Sequence, residues 1–212
     1  MTTENPYIKQ YPDMMAGKTV LYCHGFASSG QSGTVARLRQ VMPNSKVIAP
    51  DLPVHPQEAI DLLHHVCQQE QPDLIIGTSM GGMYAQQLHG FLRICVNPSF
   101  WLSQKHDILF VGKHRWLNRR LNGETEFEVT KETIEHFRGM EAHQFDGVTD
   151  EDRALCHGLF GAEDDTILAS ETRPVFEQHY SGMSRMFHGG HRMNAEVVCH
   201  VLIPFIRENN LI

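Results

Sequence analysis

The chain has 212 residues, 41% of them hydrophobic and 20% charged, and a formal net charge of -7. That length and balance suit one domain over residues 1–212 with a full hydrophobic core. The acidic balance argues against a nucleic-acid partner, which needs a concentrated basic surface to neutralise phosphates. The five cysteines are odd in number and scattered, with no Cys-x-x-Cys pair, so they read as reduced core residues rather than a disulfide frame or a zinc site. Met1–Lys18 carries no apolar core of the kind a signal or anchor has, and no run reaches transmembrane length. These features lead us to expect a cytoplasmic protein with no membrane partner and no metal or other cofactor.

In chain order, Lys18–Phe26 is a continuous apolar run ending in His-Gly, the pattern of a strand covered on both faces. A polar loop, Ala27–Thr34, leads into a helix through Val41. Lys46–Asp51 is a second short strand. Pro56 is well placed as the first residue of a helix reaching Glu70, with Ile60, Leu62, Leu63 and Val66 on its buried side. Asp73–Thr78 is a third strand, and Arg93–Ser99 a fourth run, stopped by Pro98. Strands alternating with helices at this spacing predict right-handed βαβ units in a parallel sheet.

From Phe100 to Asp152 the pattern changes. The segment lacks a clear strand, holds Trp101 and Trp116, and offers a helix start at Thr130, so residues 100–152 are expected to form a helical lid over one edge of the sheet. Its basic cluster, Lys113 to Arg120, reads as a solvated helix face, or more sharply as a local anion contact. Sheet-like runs resume at Ala154–Gly161 and Ser184–Gly190. A closing helix is expected from Asn194 as N-cap, with Pro204 kinking or ending it.

The most specific stretch is Asp73-Leu-Ile-Ile-Gly-Thr-Ser-Met-Gly-Gly82, a strand, a Gly-x-Ser-x-Gly turn and a helix start. A serine at such a turn is exposed at the end of the sheet, and the strained backbone is possible because Gly77 and Gly81 remove colliding side chains. In a parallel sheet, ligands bind beyond the carboxyl ends of the strands. The residues there are His24-Gly25-Phe26, Ser79, Glu163-Asp164-Asp165 and His188-Gly189-Gly190-His191. A serine hydroxyl needs an imidazole to take its proton, and the imidazole needs a carboxylate to fix its tautomer. The glycine pair before His191 suits close approach to a site better than the setting of His188. His188 and His191 have no third ligand at a recognisable spacing for a metal.

Taken together, Thr19–Phe26, Gly77–Gly82, Gly161–Asp165 and Gly189–Met193 resemble the α/β-hydrolase superfamily over nearly the whole chain. Within it, the short length, His-Gly-Phe-x-Ser-Ser at His24–Ser29 and Pro50-x-Leu-Pro-x-x-Pro56 are similar to the small YqiA-like bacterial esterases. The resemblance implies an α/β fold with a mostly parallel sheet, helices on both faces and the lid insertion. It also implies Ser79 as nucleophile, Asp164 as acid and His191 as base. Asp165 stays open as the acid, because the three acidic residues are consecutive. The backbone amides of Phe26 and Met80 are expected to form the oxyanion hole. His24, Ser28, Met83 and Trp101 are candidates for lining the substrate site, with His24 alternatively tying down its loop.

The expected activity is hydrolysis of small or short-acyl carboxylic esters through an acyl-enzyme. Two alternatives are a thioesterase or acyltransferase on the same residues, and a ligand-binding protein on a hydrolase scaffold without turnover. The expected partner is a small-molecule ester, and the protein is expected to be a monomer or homodimer.

Overall fold

The structure, a computed structural model, describes residues 8–211. The first seven residues of the Met1–Lys18 segment, on which the reading of no signal or anchor partly rests, lie outside the described residues. The strands in chain order are β1 (Thr19–Cys23), β2 (Lys46–Ile48), β3 (Leu74–Thr78), β4 (Arg93–Val96), β5 (Gly112–Arg115), β6 (Glu126–Val129), β7 (Cys156–Gly161) and β8 (Ser184–Phe187). Six of them form one sheet in the order β2-β1-β3-β4-β7-β8 with every neighbouring pair parallel. All carboxyl ends therefore lie along one edge, where the expected site residues belong.

The continuous apolar runs have the predicted cause. Val20, Tyr22, Leu74, Ile76, Ile94, Val96 and Leu159 point into one buried cluster, and Leu21, Cys23, Ile75, Cys95 and Phe160 into another. Successive strand residues thus fill opposite faces, and each face is covered. The first is roofed by α1 (Gly33–Val41) and the C-terminal helix, the second by α2 (Pro56–Glu70), α3 (Met80–Gln86) and α4 (Lys131–His143). Pro56 opens α2, and Thr130 caps α4 in a reciprocal box with Thr133. All five cysteines are buried and free.

The insertion differs from expectation. Before α4 it holds an antiparallel ribbon, β5 paired with β6 in the register Lys113↔Glu128 and Arg115↔Glu126. Glu126-Phe127-Glu128-Val129 has the period-two alternation of a half-buried strand, and the inward Phe127 stacks on His114 and packs against Phe26 and Trp116. The basic cluster consequently lies on a strand and its loop instead of a helix face, and Arg120, at the end of it, is 5% exposed. After α4 come α5 (Asp150–Ala154) and α6 (Ala169–His179), the latter between β7 and β8.

Pro204 does not end the closing helix. Asn194 caps α7 (Ala195–Val197) through its side chain as expected, but the helix continues through a π-helical turn, Val198–Leu202, into α8 (Ile203–Glu208). Proline lacks the N–H that would bond the residue four earlier and its ring crowds that carbonyl; the wider turn gives the ring room without ending the helix.

Candidate active site

Ser79 occupies φ 58°, ψ -123°, a region L-residues seldom adopt. The neighbouring backbone holds it there. Its N–H donates to the Val96 carbonyl at 3.0 Å, and its carbonyl accepts from Gly82 at 2.8 Å and Ser99 at 3.1 Å. The two flanking glycines are required by proximity. A Cβ on Gly77 would lie 2.1 Å from the Gly81 carbonyl oxygen, and one on Gly81 would lie 2.0 Å from the Cys23 carbonyl oxygen. The loop after β1 runs directly beside the serine, with a Cβ position on Gly25 only 3.3 Å from Ser79 Cβ.

Beyond β7 and β8 the consecutive acidic residues separate cleanly. Asp164 is buried; its Oδ2 accepts from His191 Nδ1 at 2.8 Å, and its Oδ1 accepts from the backbone N–H groups of Thr166 and Ile167 at 2.9 and 2.8 Å. Burial alone would raise this carboxyl, but the hydrogen bonds from His191, Ile167 and Thr166 outweigh it, and the net effect is a lowered pKa. Asp165 is exposed and accepts from Thr166 Oγ1; Glu163 is exposed, 3.9 Å from His188. The His188 side chain is itself 99% exposed. With Nδ1–H given to Asp164, Nε2 of His191 is the nitrogen left to accept a proton.

One residue that sequence reasoning passed over joins the two halves. Asn97, at the end of β4 and 2% exposed, accepts the Gly161 N–H at 2.6 Å through Oδ1 and donates Nδ2 to the carbonyls of Gly190 at 3.1 Å and His191 at 3.5 Å. Its φ of 46° is one asparagine tolerates better than most residues. An asparagine directly after an apolar strand and before Pro98 was the available signal.

The backbone N–H groups of Phe26 and Met80 donate to no protein acceptor among the described residues. Met80 opens α3, so its amide has no intrahelical partner. These residues border a small cleft with room for little more than one water-sized group, whose other walls include His24, Leu52, Val54 and Trp116. His24 is 1% exposed and both its ring nitrogens are engaged: Nε2 accepts from the Leu52 N–H at 3.0 Å and Nδ1 donates to the Gly25 carbonyl at 2.8 Å. Burial pushes its pKa down to about 4, so it is neutral. Through these two bonds the ring ties the loop after β1 to Leu52. Ser28 is half-buried and accepts from Asn118 Nδ2; Met83 is fully buried in the core under α3; Trp101 packs edge-on against Phe100. Of the two tryptophans it is Trp116, from the ribbon, that borders the cleft. Among the described residues no group of three or more His, Cys, Asp or Glu side chains is arranged to hold a metal ion. No helix among them is long and apolar enough to cross a membrane.

A parallel sheet with a serine at a strained strand-to-helix turn, and a paired acid and histidine beyond later strands, is the α/β-hydrolase fold. Solved structures agree. The chain is similar to a monoacylglycerol lipase from Paleococcus ferrophilus (13% identity, 94% of this chain and 96% of that one, TM-score 0.60). It is likewise similar to Est1E from Butyrivibrio proteoclasticus (13% identity, 98% and 91%, TM-score 0.62) and to the esterase domain of a Rhodothermus marinus protein (17% identity, 94% and 90%, TM-score 0.60). A family profile described as Uncharacterised protein family (UPF0227) matches residues 19–116, which run from β1 through the Ser79 turn to Trp116.

Proposed function

We propose that the protein is a serine hydrolase of small carboxylic esters. The observation that carries the reading is the His191 Nδ1 to Asp164 hydrogen bond of 2.8 Å on the same sheet edge as a serine held at φ 58°. Ser79 Oγ attacks the ester carbonyl carbon as its proton passes to His191 Nε2, and Asp164 steadies the imidazolium. The carbonyl oxygen becomes an oxyanion facing the free amides of Phe26 and Met80; such a donor is worth about 3 kcal/mol in comparable sites. Collapse breaks the bond to the alkoxide, which leaves with the proton held by His191. Water then attacks the acyl-Ser79 ester with His191 as base, releasing the acid and restoring Ser79. Est1E and the Paleococcus ferrophilus lipase, which share the fold, carry ester-cleaving names in keeping with this chemistry.

The test compares wild type with Ser79→Ala in two readouts, covalent labelling by a fluorophosphonate, read by intact mass, and hydrolysis of a short-chain aryl ester. Both are expected in wild type and absent from the variant. Hydrolysis by a folded Ser79→Ala protein would overturn the proposal.

A further inference from the structure

The order of the strands separates the two sides of the scissile bond. Ser79 follows β3; His191 and Asp164 follow β8 and β7 on one side of it, while Phe26, Leu52 and Val54 follow β1 and β2 on the other. In the proposed ester cleavage, on which this inference rests, the leaving oxygen must take its proton from His191 and so lies toward β7 and β8. The acyl group then extends the other way, past the amides of Phe26 and Met80 into the cleft beside them.

That cleft is short, and a residue from the insertion closes it. Trp116 forms a wall, and its Nε1–H is buried with no hydrogen-bond partner. The Arg120 guanidinium lies 3.9 Å from the centre of the Trp116 ring, and its Nη1 donates to the Leu52 carbonyl at 3.0 Å. One cation thus braces two walls, Trp116 and Leu52. Arg120 is 5% exposed with Nε unpartnered, and among the described residues no carboxylate lies within ion-pair distance of it, so stacking on the indole is a main interaction of its charge. His24 locks Leu52 from the other side through the Leu52 N–H.

We infer that this cleft is the acyl-binding subsite, that Trp116 is the residue limiting it to short acyl chains, and that Arg120 is a positioning residue holding Trp116 in place. Apart from His24, which is neutral, the remaining wall residues, among them Phe26, Leu52, Val54 and Met80, are apolar, so the walls supply no charged contact, which fits an unsubstituted alkyl chain. Removing the indole opens the cleft toward the ribbon, so each additional methylene that finds a buried place there strengthens transition-state binding by a few-fold.

The experiment measures kcat/KM on aryl acetate, butyrate, octanoate and decanoate for wild type, Trp116→Ala, Arg120→Lys, Arg120→Ala and Val54→Phe, with circular dichroism on each. Wild type is expected to prefer acetate or butyrate. Trp116→Ala is expected to raise the octanoate-to-acetate ratio about tenfold or more. Arg120→Ala is expected to shift the ratio in the same direction by less, and Arg120→Lys, which keeps a cation over the ring, to restore part of the selectivity; a purely structural role would lower all four rates together. Val54→Phe narrows the cleft at a wall outside the insertion and is expected to lower the butyrate-to-acetate ratio, which keeps the inference exposed if the tryptophan variant misfolds. Serine-dependent hydrolysis with a chain-length profile unmoved by both Trp116→Ala and Val54→Phe would overturn the subsite alone. Absence of hydrolysis and of phosphonate labelling in wild type would overturn the hydrolase reading and the subsite with it.

Discussion

Asn97 and Gly161 are joined by a 2.6 Å hydrogen bond from the Gly161 N–H to Asn97 Oδ1, and the other end of the same amide reaches the carbonyl of Gly190. A single buried side chain at the end of β4 therefore fixes both the β7 end that leads to Asp164 and the loop that carries His191. Since Val96, the preceding residue, accepts the Ser79 N–H, the Ser79 turn and the Asp164–His191 pair hang from one strand end.

Replacing that amide tests the connection. Asn97→Asp keeps the acceptor for Gly161 and a residue type that tolerates positive φ, but sets a carboxylate oxygen against the Gly190 carbonyl. The expected result is a fall in kcat of about 10- to 100-fold with a smaller change in KM, because the imidazole is displaced while the cleft is untouched. Asn97→Ala also strands the buried Gly161 N–H, and a stability loss of about 1–3 kcal/mol is expected in urea titration. Wild-type kcat in Asn97→Asp would remove the positioning role.

The choice among consecutive acids is open to a direct comparison. Asp164→Asn keeps the shape but removes the charge that orients and stabilises His191, and kcat is expected to drop about 10³- to 10⁴-fold. Asp165→Asn, on an exposed side chain whose Oδ1 touches only Thr166, is expected to stay within about twofold of wild type. Steady-state kinetics on one aryl ester distinguishes the two. Equal losses in both variants would mean that the loop, rather than the Asp164 carboxylate, is what matters.

Much of this arrangement was legible in sequence because it depends on local chemistry. The continuous apolar strands, Pro56 and Thr130 at helix starts, and the two glycines around Ser79 each act within a few residues of themselves. The ribbon was less legible. Gly112–Arg115 offers few apolar residues, and its order comes from pairing with Glu126–Val129 across a ten-residue connection and from Phe127 meeting Phe26 more than a hundred positions away. Asn97 was hidden for a similar reason: its partners, Gly161 and Gly190, follow different strands and adjoin it only once the sheet order is known. Asp164 and Asp165 cannot be separated by composition, since burial beneath His191 is what distinguishes them. The π turn before Pro204 reflects a helix kept continuous by packing of Leu202, Ile203 and Phe205, a tertiary cause that local propensity does not contain.

His24 gives the fold a pH dependence with a definite sign. Its pKa is pushed from 6.5 in the unfolded chain to about 4 in the folded one, chiefly by burial. Between those values the unfolded state binds more protons, so this contribution is fully present above about pH 6.5 and is lost as pH falls toward 4. A shift of that size corresponds to about 3 kcal/mol for a fully buried ring. His157, pushed down to about 4 by burial and by the charge of Arg93, acts in the same direction. Urea midpoints between pH 7 and pH 4 are expected to fall in wild type and to fall less steeply in His24→Gln, whatever the variant's absolute stability. Parallel slopes would assign the acid sensitivity to other groups.

The ribbon is expected to open without the sheet. Two-stranded ribbons are marginal alone, and this one is held by Phe127 against Phe26 and by a few bonds: Leu117 N–H to the Ala27 carbonyl at 2.7 Å, Leu121 N–H to Asp51 Oδ2 at 2.7 Å, and Ser29 Oγ to the Arg119 carbonyl at 2.8 Å. Phe127→Ala removes its main apolar anchor, at a local cost of about 2–3 kcal/mol for a partly buried ring. Amide exchange followed by mass spectrometry is expected to accelerate by about tenfold or more in peptides covering 112–129, while peptides covering β3 and β4 keep their protection. Because Trp116 travels with the ribbon, the same variant should broaden acyl-chain tolerance. Exchange that accelerates equally in β3 would show instead that ribbon and sheet unfold as one cooperative unit.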